Sequence, residues 1–179
     1  MNVRATVLAA CMSLVAAVSV PAEEPAMPVP TTGHEALAAF LGSWSGSGEM
    51  KPGIFGEGGP MSWTEECTWF EGSKFHVACT SEGDSPMGPT KGLGIIGYNA
   101  GKKVYTHYGV DNNGWSAYAE GTRDGDTWTY LSEDVVGGEK FHTRATISLV
   151  SEKVMTFSWE MSQDGENWTL LFDGKSVKE

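Results

Sequence analysis

From Gly42 to the C-terminus the sequence is a regular succession of short segments in which apolar and polar residues alternate, separated by turn signals. Such alternation is typical of β-strands that bury one face, and its regular spacing favours antiparallel hairpins. The turns Asn112-Asn113-Gly114, Asp124-Gly125-Asp126 and Asp164-Gly165-Glu166 supply residues that tolerate positive φ. We expect strands near residues 43–50, 61–70, 74–82, 91–98, 103–110, 115–122, 126–133, 140–150, 154–162 and 167–173. The sequence therefore predicts an all-β fold, an antiparallel up-and-down β-barrel of about ten strands.

One short helix is predicted before the first strand. Thr32 can cap a helix over residues 34–41. Its apolar face consists of Leu37, Phe40 and Leu41. We expect this face to plug one end of the barrel, and we expect His34, in the first turn, to be exposed.

The N-terminal segment has the pattern of a secretory signal over residues 1–22. Arg4 lies in a short positive start, a long apolar run follows, and Val20-Pro21-Ala22 is a small-residue cleavage site. Residues 23–32 are rich in Pro and Ala and are expected to form a disordered tether, which leaves 33–179 as the barrel domain. A transmembrane helix and a lipid anchor on Cys11 are the alternatives. We expect a periplasmic or secreted protein with no membrane span after cleavage.

Two cysteines, Cys67 and Cys79, remain once the signal is removed. An even pair in an oxidising compartment favours a disulfide. They lie on adjacent predicted strands, and a three-residue loop around Ser73 would place them directly opposite each other. A redox-active pair is the alternative, but neither cysteine belongs to a Cys-x-x-Cys motif.

The charge of the chain argues against two classes of partner. It carries 12 basic and 23 acidic residues, a formal net charge of −11. Nucleic acid and anionic membranes are therefore poor partners, and the simplest interpretation of the charge is solubility after export.

The opening of the first strand, Leu41-Gly-Ser-Trp-Ser-Gly-Ser-Gly, resembles that of lipocalin-like, or calycin-type, barrels, in which a short helix leads into a Gly-x-Trp strand. The chain also resembles the bacterial family called domain of unknown function 1579 over residues 34–173. The matching motifs are Glu66-Cys67-Thr68-Trp69-Phe70, the Gly-Leu-Gly-Ile-Ile-Gly-Tyr segment at 92–98, and the Asp-x-x-Gly turn at 111–114. This resemblance implies a lipocalin-like barrel and almost nothing about activity.

We expect no cofactor or metal. The opening is also similar to that of nitrobindin-type barrels, which carry haem on a histidine near the end of the chain. Here the last histidine is His142, and alternation turns it away from the apolar face of its strand, which disfavours haem. The Asp-rich turns lack the spacing of a calcium loop.

Aromatic side chains on the inward faces are candidates for lining a ligand cavity. The candidate ligand-binding residues are Trp63, Glu65, Trp69, Tyr108, Trp115, Tyr130, Phe157 and Trp159, with Trp128, Thr106 and Thr143 as further lining residues. Glu65 is the most informative, because a carboxyl group on an aromatic inward face would be desolvated and its pKa raised.

These residues lead to one expected function and two alternatives. We expect an exported lipocalin-like barrel that binds a small apolar molecule. A barrel enzyme of isomerase or lyase type, with Glu65 as general base beside a Tyr, is the first alternative. A structural or interaction module whose aromatic residues simply fill the core is the second. The sequence has no Ser/His/Asp set, no His pair at metal-ligand spacing and no phosphate-binding loop, so enzymatic activity is not favoured.

Overall fold

Ten antiparallel strands form a closed barrel in the computed structural model, which describes residues 27–179. The strands are β1 (Gly42–Met50), β2 (Gly59–Trp69), β3 (His76–Ser85), β4 (Gly88–Asn99), β5 (Val104–Asp111), β6 (Ser116–Asp124), β7 (Thr127–Val136), β8 (Glu139–Ser151), β9 (Val154–Ser162) and β10 (Thr169–Lys178). Each strand pairs with the next along the chain, and β10 pairs with β1, so the sheet closes on itself. The predicted up-and-down barrel is confirmed, and every predicted strand overlaps an observed one.

The helix before β1 begins earlier than predicted. Helix α1 spans Thr32–Glu35 and continues as a 3₁₀ helix over Ala36–Phe40, with Thr31 and not Thr32 as the N-cap. The cause is local, because the backbone N–H of Thr31 donates to Nδ1 of His34 at 3.0 Å and fixes the first turn one residue earlier.

His34 is buried, so the prediction that it is exposed is wrong. Only 5% of its surface is exposed, and its ring meets those of Phe75 and Tyr98 edge-on at centroid distances of 5.1 and 5.3 Å. Burial lowers the pKa of the His34 imidazole, which favours the neutral ring and lets it pack as an aromatic side chain.

The helical segment plugs one end of the barrel, here called the helix end, as predicted. Leu37 and Phe40 are almost fully buried there, and Phe40 packs on Trp128 with ring centroids 4.9 Å apart. The indole Nε1 of Trp44 donates to the carbonyl oxygen of Phe40 at 2.8 Å. The first inward residue of β1 is thus tied directly to the plug.

Cys67 and Cys79 pair directly across β2 and β3 and form a disulfide, as predicted. The connection between the two strands is longer than the three-residue loop we expected, because a 3₁₀ turn at Phe70–Gly72 precedes the start of β3. The register still centres on Ser73, so the cysteine pairing is unaffected.

A bulge in β10 changes which side chains face inward. The register between β10 and β9 shifts between Leu170 and Phe172, and Leu171 is buried. Alternation alone would have put Trp168 on the inner face with Phe172. Its ring instead lies against the Arg144 guanidinium, with 4.2 Å between Cζ and the ring centroid.

The predicted signal sequence at 1–22, with Cys11, and the first part of the tether lie outside the described residues. Residues 27–31 precede α1 without forming a helix or strand. Between residues 27 and 179, no helix has the length and apolar character needed to cross a membrane.

Candidate ligand-binding site

The interior of the barrel divides into two halves. At the helix end the side chains are tightly packed around Leu37, Trp44, Val77 and Trp128, each with at most 1% of its surface exposed. We call this region the packed half. Towards the other end, many inward-facing residues of β2 to β6 keep part of their surface accessible to water. These residues are Glu65, Ser81, Gly83, Gly92, Gly94, His107 and Ala117, and we call the region that they surround the open half.

The floor of the open half is formed by the Cys67–Cys79 disulfide together with Glu65, His107 and Tyr130. A carboxylate oxygen of Glu65 lies within 4.8 Å of both disulfide sulfurs. The disulfide and Tyr130 belong to the packed core, so the side chains on this floor sit where the packing ends. The three groups Glu65, Cys67 and Cys79 have the proximity of a metal site, but sulfurs joined in a disulfide are not thiolate ligands.

Glu65 is a carboxyl group without compensation for its burial. Desolvation alone raises its pKa to about 7, and no hydrogen bond or neighbouring charge contributes to the shift. At neutral pH the protonated and ionised forms are therefore similarly populated. A group with these properties can accept or donate a proton, or pair with a cationic guest.

His107 was not among the predicted site residues, yet it faces the open half from β5. Its Nε2 lies 3.3 Å from the position that a Cβ on Gly94 would occupy, and its Cε1 lies 3.1 Å from that of Gly109. The two glycines of neighbouring strands thus leave room for the imidazole. Its ring centroid is 5.9 Å from that of Tyr130, and burial lowers the pKa of His107, so the ring is neutral at pH 7.

Three side chains on β7 each have a buried polar atom without a partner in the described part of the chain: Nε1 of Trp128, which lies in the packed half, the hydroxyl of Tyr130, and Oδ2 of Asp134. Tyr130 is only 3% exposed. Burial raises the pKa of Tyr130 and that of Asp134, although a hydrogen bond with Thr143 partly offsets the shift at Asp134. Thr143, predicted as a polar lining residue, is inside and buried, and its hydroxyl is 2.5 Å from that of Ser132.

Three of the predicted lining residues, Trp63, Phe157 and Trp159, form an aromatic wall on β2 and β9. The rings of Trp63 and Phe157 meet at 5.1 Å, and Trp159 packs on Phe172 at 4.8 Å. Trp63 fills the space over Gly46 and Gly174, where any Cβ would collide with its indole ring. These aromatic residues therefore fill one side of the interior, while glycine and alanine residues line the opposite side.

Trp69 and Trp128 belong to the packed half and do not line the open half. Trp115 lies in the β5–β6 turn at the mouth, where its ring approaches the inner side of Gly109, with 3.1 Å from Cζ3 to the position of a Cβ there. It is 42% exposed. Trp115 can therefore contact a guest that enters the open half.

Two predicted lining residues face the wrong way. Tyr108 is 49% exposed and pairs on the outer surface with Tyr118, and Thr106, two residues before it, shares that outer face. The inward residues of β5 are Tyr105, His107 and Gly109. The prediction that Tyr108 and Thr106 line the interior is wrong by one position, because β5 carries a tyrosine on each face and alternation did not decide between them.

His142 points outward, as predicted, with its Nδ1 3.7 Å from Oε1 of Glu133. The histidine that haem would require near the end of the chain is missing, because β9 and β10 contain none. His107 lies on β5, across the barrel from β10. The residues at the position implied by the nitrobindin-type resemblance therefore do not fit haem.

Two shallow depressions, of about 550 and 560 Å³, also lie between neighbouring strands. The first is bordered mainly by Ser, Thr, Glu and Lys side chains, although Trp44 and Glu65 contribute to it. The second runs over β8 to β10 and β1, with Ser, Thr, Asp and Lys around Phe157. Both are open to solvent, so they would enclose a small molecule poorly.

Comparison with known proteins supports the fold. The family model described as "Protein of unknown function (DUF1579)" matches residues 29–177. The fold is similar to that of Rv2717c from M. tuberculosis, with a TM-score of 0.58 at 13% identity, covering 83% of this chain and 98% of that one. It is also similar to the S-type phycobiliprotein lyase CPES from Guillardia theta, with a TM-score of 0.55 at 12% identity, covering 81% and 91%. No curated protein sequence matches the chain significantly.

Proposed function

Since the chain belongs to the DUF1579 family, whose description assigns no activity, we propose a function from the site itself: the protein binds a small, largely apolar molecule in the open half of its barrel. The observation that carries this proposal is the floor, where Glu65 is desolvated with no hydrogen bond or charge to compensate it, beneath walls of glycine and alanine.

The energetics of this carboxyl group support a guest. A buried polar group without a partner costs about 1–3 kcal/mol of stability. Apolar side chains avoid that cost, as around Leu37 and Val77, although Nε1 of Trp128 in the packed half is also without a partner. In the open half a ligand with one or two polar atoms would offset the cost, and its apolar body would cover the surface left accessible.

The proposal is tested by filling the site from one strand. Ala117 faces inward on β6 and Ser116, its neighbour, faces outward, so Ala117→Leu and Ser116→Leu form a matched pair. We expect Ala117→Leu to weaken binding of the apolar fluorescent probe N-phenyl-naphthylamine at least about tenfold and Ser116→Leu to leave it unchanged. Equal binding by both variants and the unmodified protein would show that the probe binds elsewhere and would refute the site.

Detection of a molecule bound to the purified protein is a second test of the proposal. Native mass spectrometry of the protein exported to a bacterial periplasm should show an additional mass that is lost on denaturation. The bare chain alone, combined with failure to bind the probe, would favour the alternative of a filled structural or interaction module.

One observation favours a second candidate function, a barrel enzyme of isomerase or lyase type. The pKa of Glu65, about 7, suits a general base at neutral pH, and Tyr130 stands on the same floor. Mass spectrometry of the molecules bound to the unmodified protein and to Glu65→Gln separates the two functions. An enzyme would hold product in the first and substrate in the second, whereas a carrier would hold the same molecule in both.

We also propose that the protein acts outside the cytoplasm. Two features support this proposal: the signal pattern at 1–22 and the disulfide between Cys67 and Cys79. Expression of the full chain in a bacterium should give a periplasmic protein that begins at Glu23 and contains no free thiol. A cytoplasmic protein that keeps its N-terminal segment would overturn this proposal.

A further inference from the structure

The charged groups of the open half are all of one sign. Glu65 lies on its floor, Asp134 lies on β7 towards the mouth, and Asp111 lies at the rim. Among the described residues that face inward here, none is Lys or Arg. The inward cations Lys178 and Arg123 lie in the packed half, where they sit over the rings of Trp44 and Trp128 at 5.0 and 4.6 Å.

These carboxyl groups differ in how their oxygen atoms are satisfied. Asp111 accepts backbone N–H groups of its own turn, including that of Trp115 at 2.9 Å, and is therefore occupied. Oδ2 of Asp134 has no partner, and neither hydrogen bonds nor charges compensate Glu65. The open half thus contains two carboxyl groups with free acceptor capacity, and it is also faced by His107, whose pKa is lowered by burial.

The aromatic residues around the open half match the same kind of guest. The indole of Trp63 forms part of the wall, Trp115 stands at the mouth, and the Tyr130 ring forms part of the floor. The face of an aromatic ring attracts a cation, and the attraction grows when water is excluded. Tyr130 itself is only 3% exposed and belongs to the packed core, so its ring and not its hydroxyl is the group offered to a guest.

From this arrangement we propose that the open half binds an organic cation, a primary amine on an apolar or aromatic body. The ammonium group lies against Glu65 on the floor, and the body lies between Trp63, Trp115 and the glycine-paved wall. An ammonium group has three donors and no acceptor, which complements the free carboxylate oxygens of Glu65 and Asp134. A carboxylate ligand of the same shape would face Glu65 with like charge. This inference rests on the proposed function, because it names the class of molecule that the same site would take.

Three probes that share one aromatic body test the inference directly. Naphthylmethylamine, naphthylmethanol and naphthoic acid differ only in the charge and donors of one group, and isothermal titration calorimetry measures their affinities at about pH 8, where Glu65 is ionised. We expect the amine to bind at least about tenfold more tightly than the alcohol, and the acid to bind most weakly.

Glu65→Gln locates the source of the preference. We expect this variant to lose the preference for the amine, so that the ratio of amine affinity to alcohol affinity falls to about one, because the carboxylate that distinguishes the two probes is removed. Asp134→Asn should reduce the preference less, since Asp134 shares a hydrogen bond with Thr143. Glu66→Gln is the matched control, because Glu66 is the next residue on β2, faces outward and accepts a hydrogen bond from Ser43.

The possible failures are distinguishable. If the alcohol or the acid binds as tightly as the amine, or if Glu65→Gln keeps the preference, the inference is wrong and the proposed binding function stands. If none of the three probes binds and Ala117→Leu behaves like Ser116→Leu with the neutral probe, the proposed function fails and the inference fails with it.

Discussion

The packed half and the open half of the barrel differ in how completely their inward-facing side chains are buried and hydrogen-bonded. At the helix end, Leu37 and Trp44 bury apolar surface almost completely, and the Trp44 indole satisfies its donor on the Phe40 carbonyl. In the open half, Glu65 is desolvated with no compensating partner. The packed half contains two unpaired groups of its own, Nε1 of Trp128 and the Tyr130 hydroxyl. The difference teaches that apolar burial is most complete at one end of the fold, and under the proposed function a guest compensates the desolvated carboxyl group at the other end.

The largest expected effect lies in the packed half. Trp44→Ala removes a buried indole and its hydrogen bond, and we expect it to lower the free energy of unfolding by about 3–5 kcal/mol. Urea denaturation followed by circular dichroism measures the change. If Trp115→Ala, at the mouth, lowered the free energy of unfolding by as much, the distinction between the two halves would not hold.

The pH dependence of the unfolding free energy in Glu65→Gln tests whether the open half contains a desolvated carboxyl group. The pKa of Glu65 is raised from 4.5 to about 7 by burial, so its contribution to stability is complete below pH 4.5 and is lost as the pH rises through 7. The neutral side chain of the variant avoids that loss. We therefore expect the variant to exceed the unmodified protein in unfolding free energy by about 3 kcal/mol above pH 8 and to match it near pH 4.

The other titratable groups of the open half contribute equally to both proteins, so they cancel in the difference in unfolding free energy. The pKa of His107 is lowered and that of Asp134 is raised, but both groups are present in both proteins. Urea denaturation at a series of pH values provides the measurement. A difference that does not grow with pH would mean that the Glu65 carboxyl is solvated in solution.

A smaller effect is expected at Tyr130. Tyr130→Phe removes a buried hydroxyl that has no partner, so we expect it to raise the unfolding free energy by about 1 kcal/mol or leave it unchanged. Destabilisation by more than about 2 kcal/mol would show that the hydroxyl has a partner within the folded chain.

The smallest stability effect is expected at the mouth. Trp115→Ala should change the unfolding free energy by no more than about 0.5 kcal/mol, because its ring is partly exposed and lies in a turn. It should weaken probe binding several-fold through the lost ring face. Calorimetric titration and urea denaturation of one preparation give both values, and unchanged affinity would remove Trp115 from the site.

Much of this architecture is written in local patterns. Alternation placed Trp63, Glu65 and Cys67 on one face of β2, because the strand has a single apolar face and the cysteine pair fixes its register with β3. The same reasoning failed on β5, where Tyr105 and Tyr108 lie on opposite faces, and so it missed His107. The inward glycines Gly94 and Gly109 carry no alternation signal of their own, although they decide where the imidazole fits.

Other features depend on contacts between distant parts of the chain. The burial of His34 follows from its approach to Phe75 and Tyr98, which no local pattern shows. The bulge in β10 shifts Leu171 inward by one position, and such an irregularity is set by packing across the sheet and not by residue type. The division into a packed and an open half is of this kind, since it emerges only when ten strands are assembled.

The closure of the barrel through β1 and β10 has a consequence for how the protein forms. Trp44 on β1 pairs with Lys178 on β10, so one edge of β1 stays unpaired until β10 has been synthesised. Until β10 emerges, the hydrogen-bonding groups along that edge are available to other chains, as on any unpaired strand. Completion of the fold therefore requires β10, and chains that end before residue 169 should be captured by chaperones, degraded or aggregated instead of accumulating as smaller barrels.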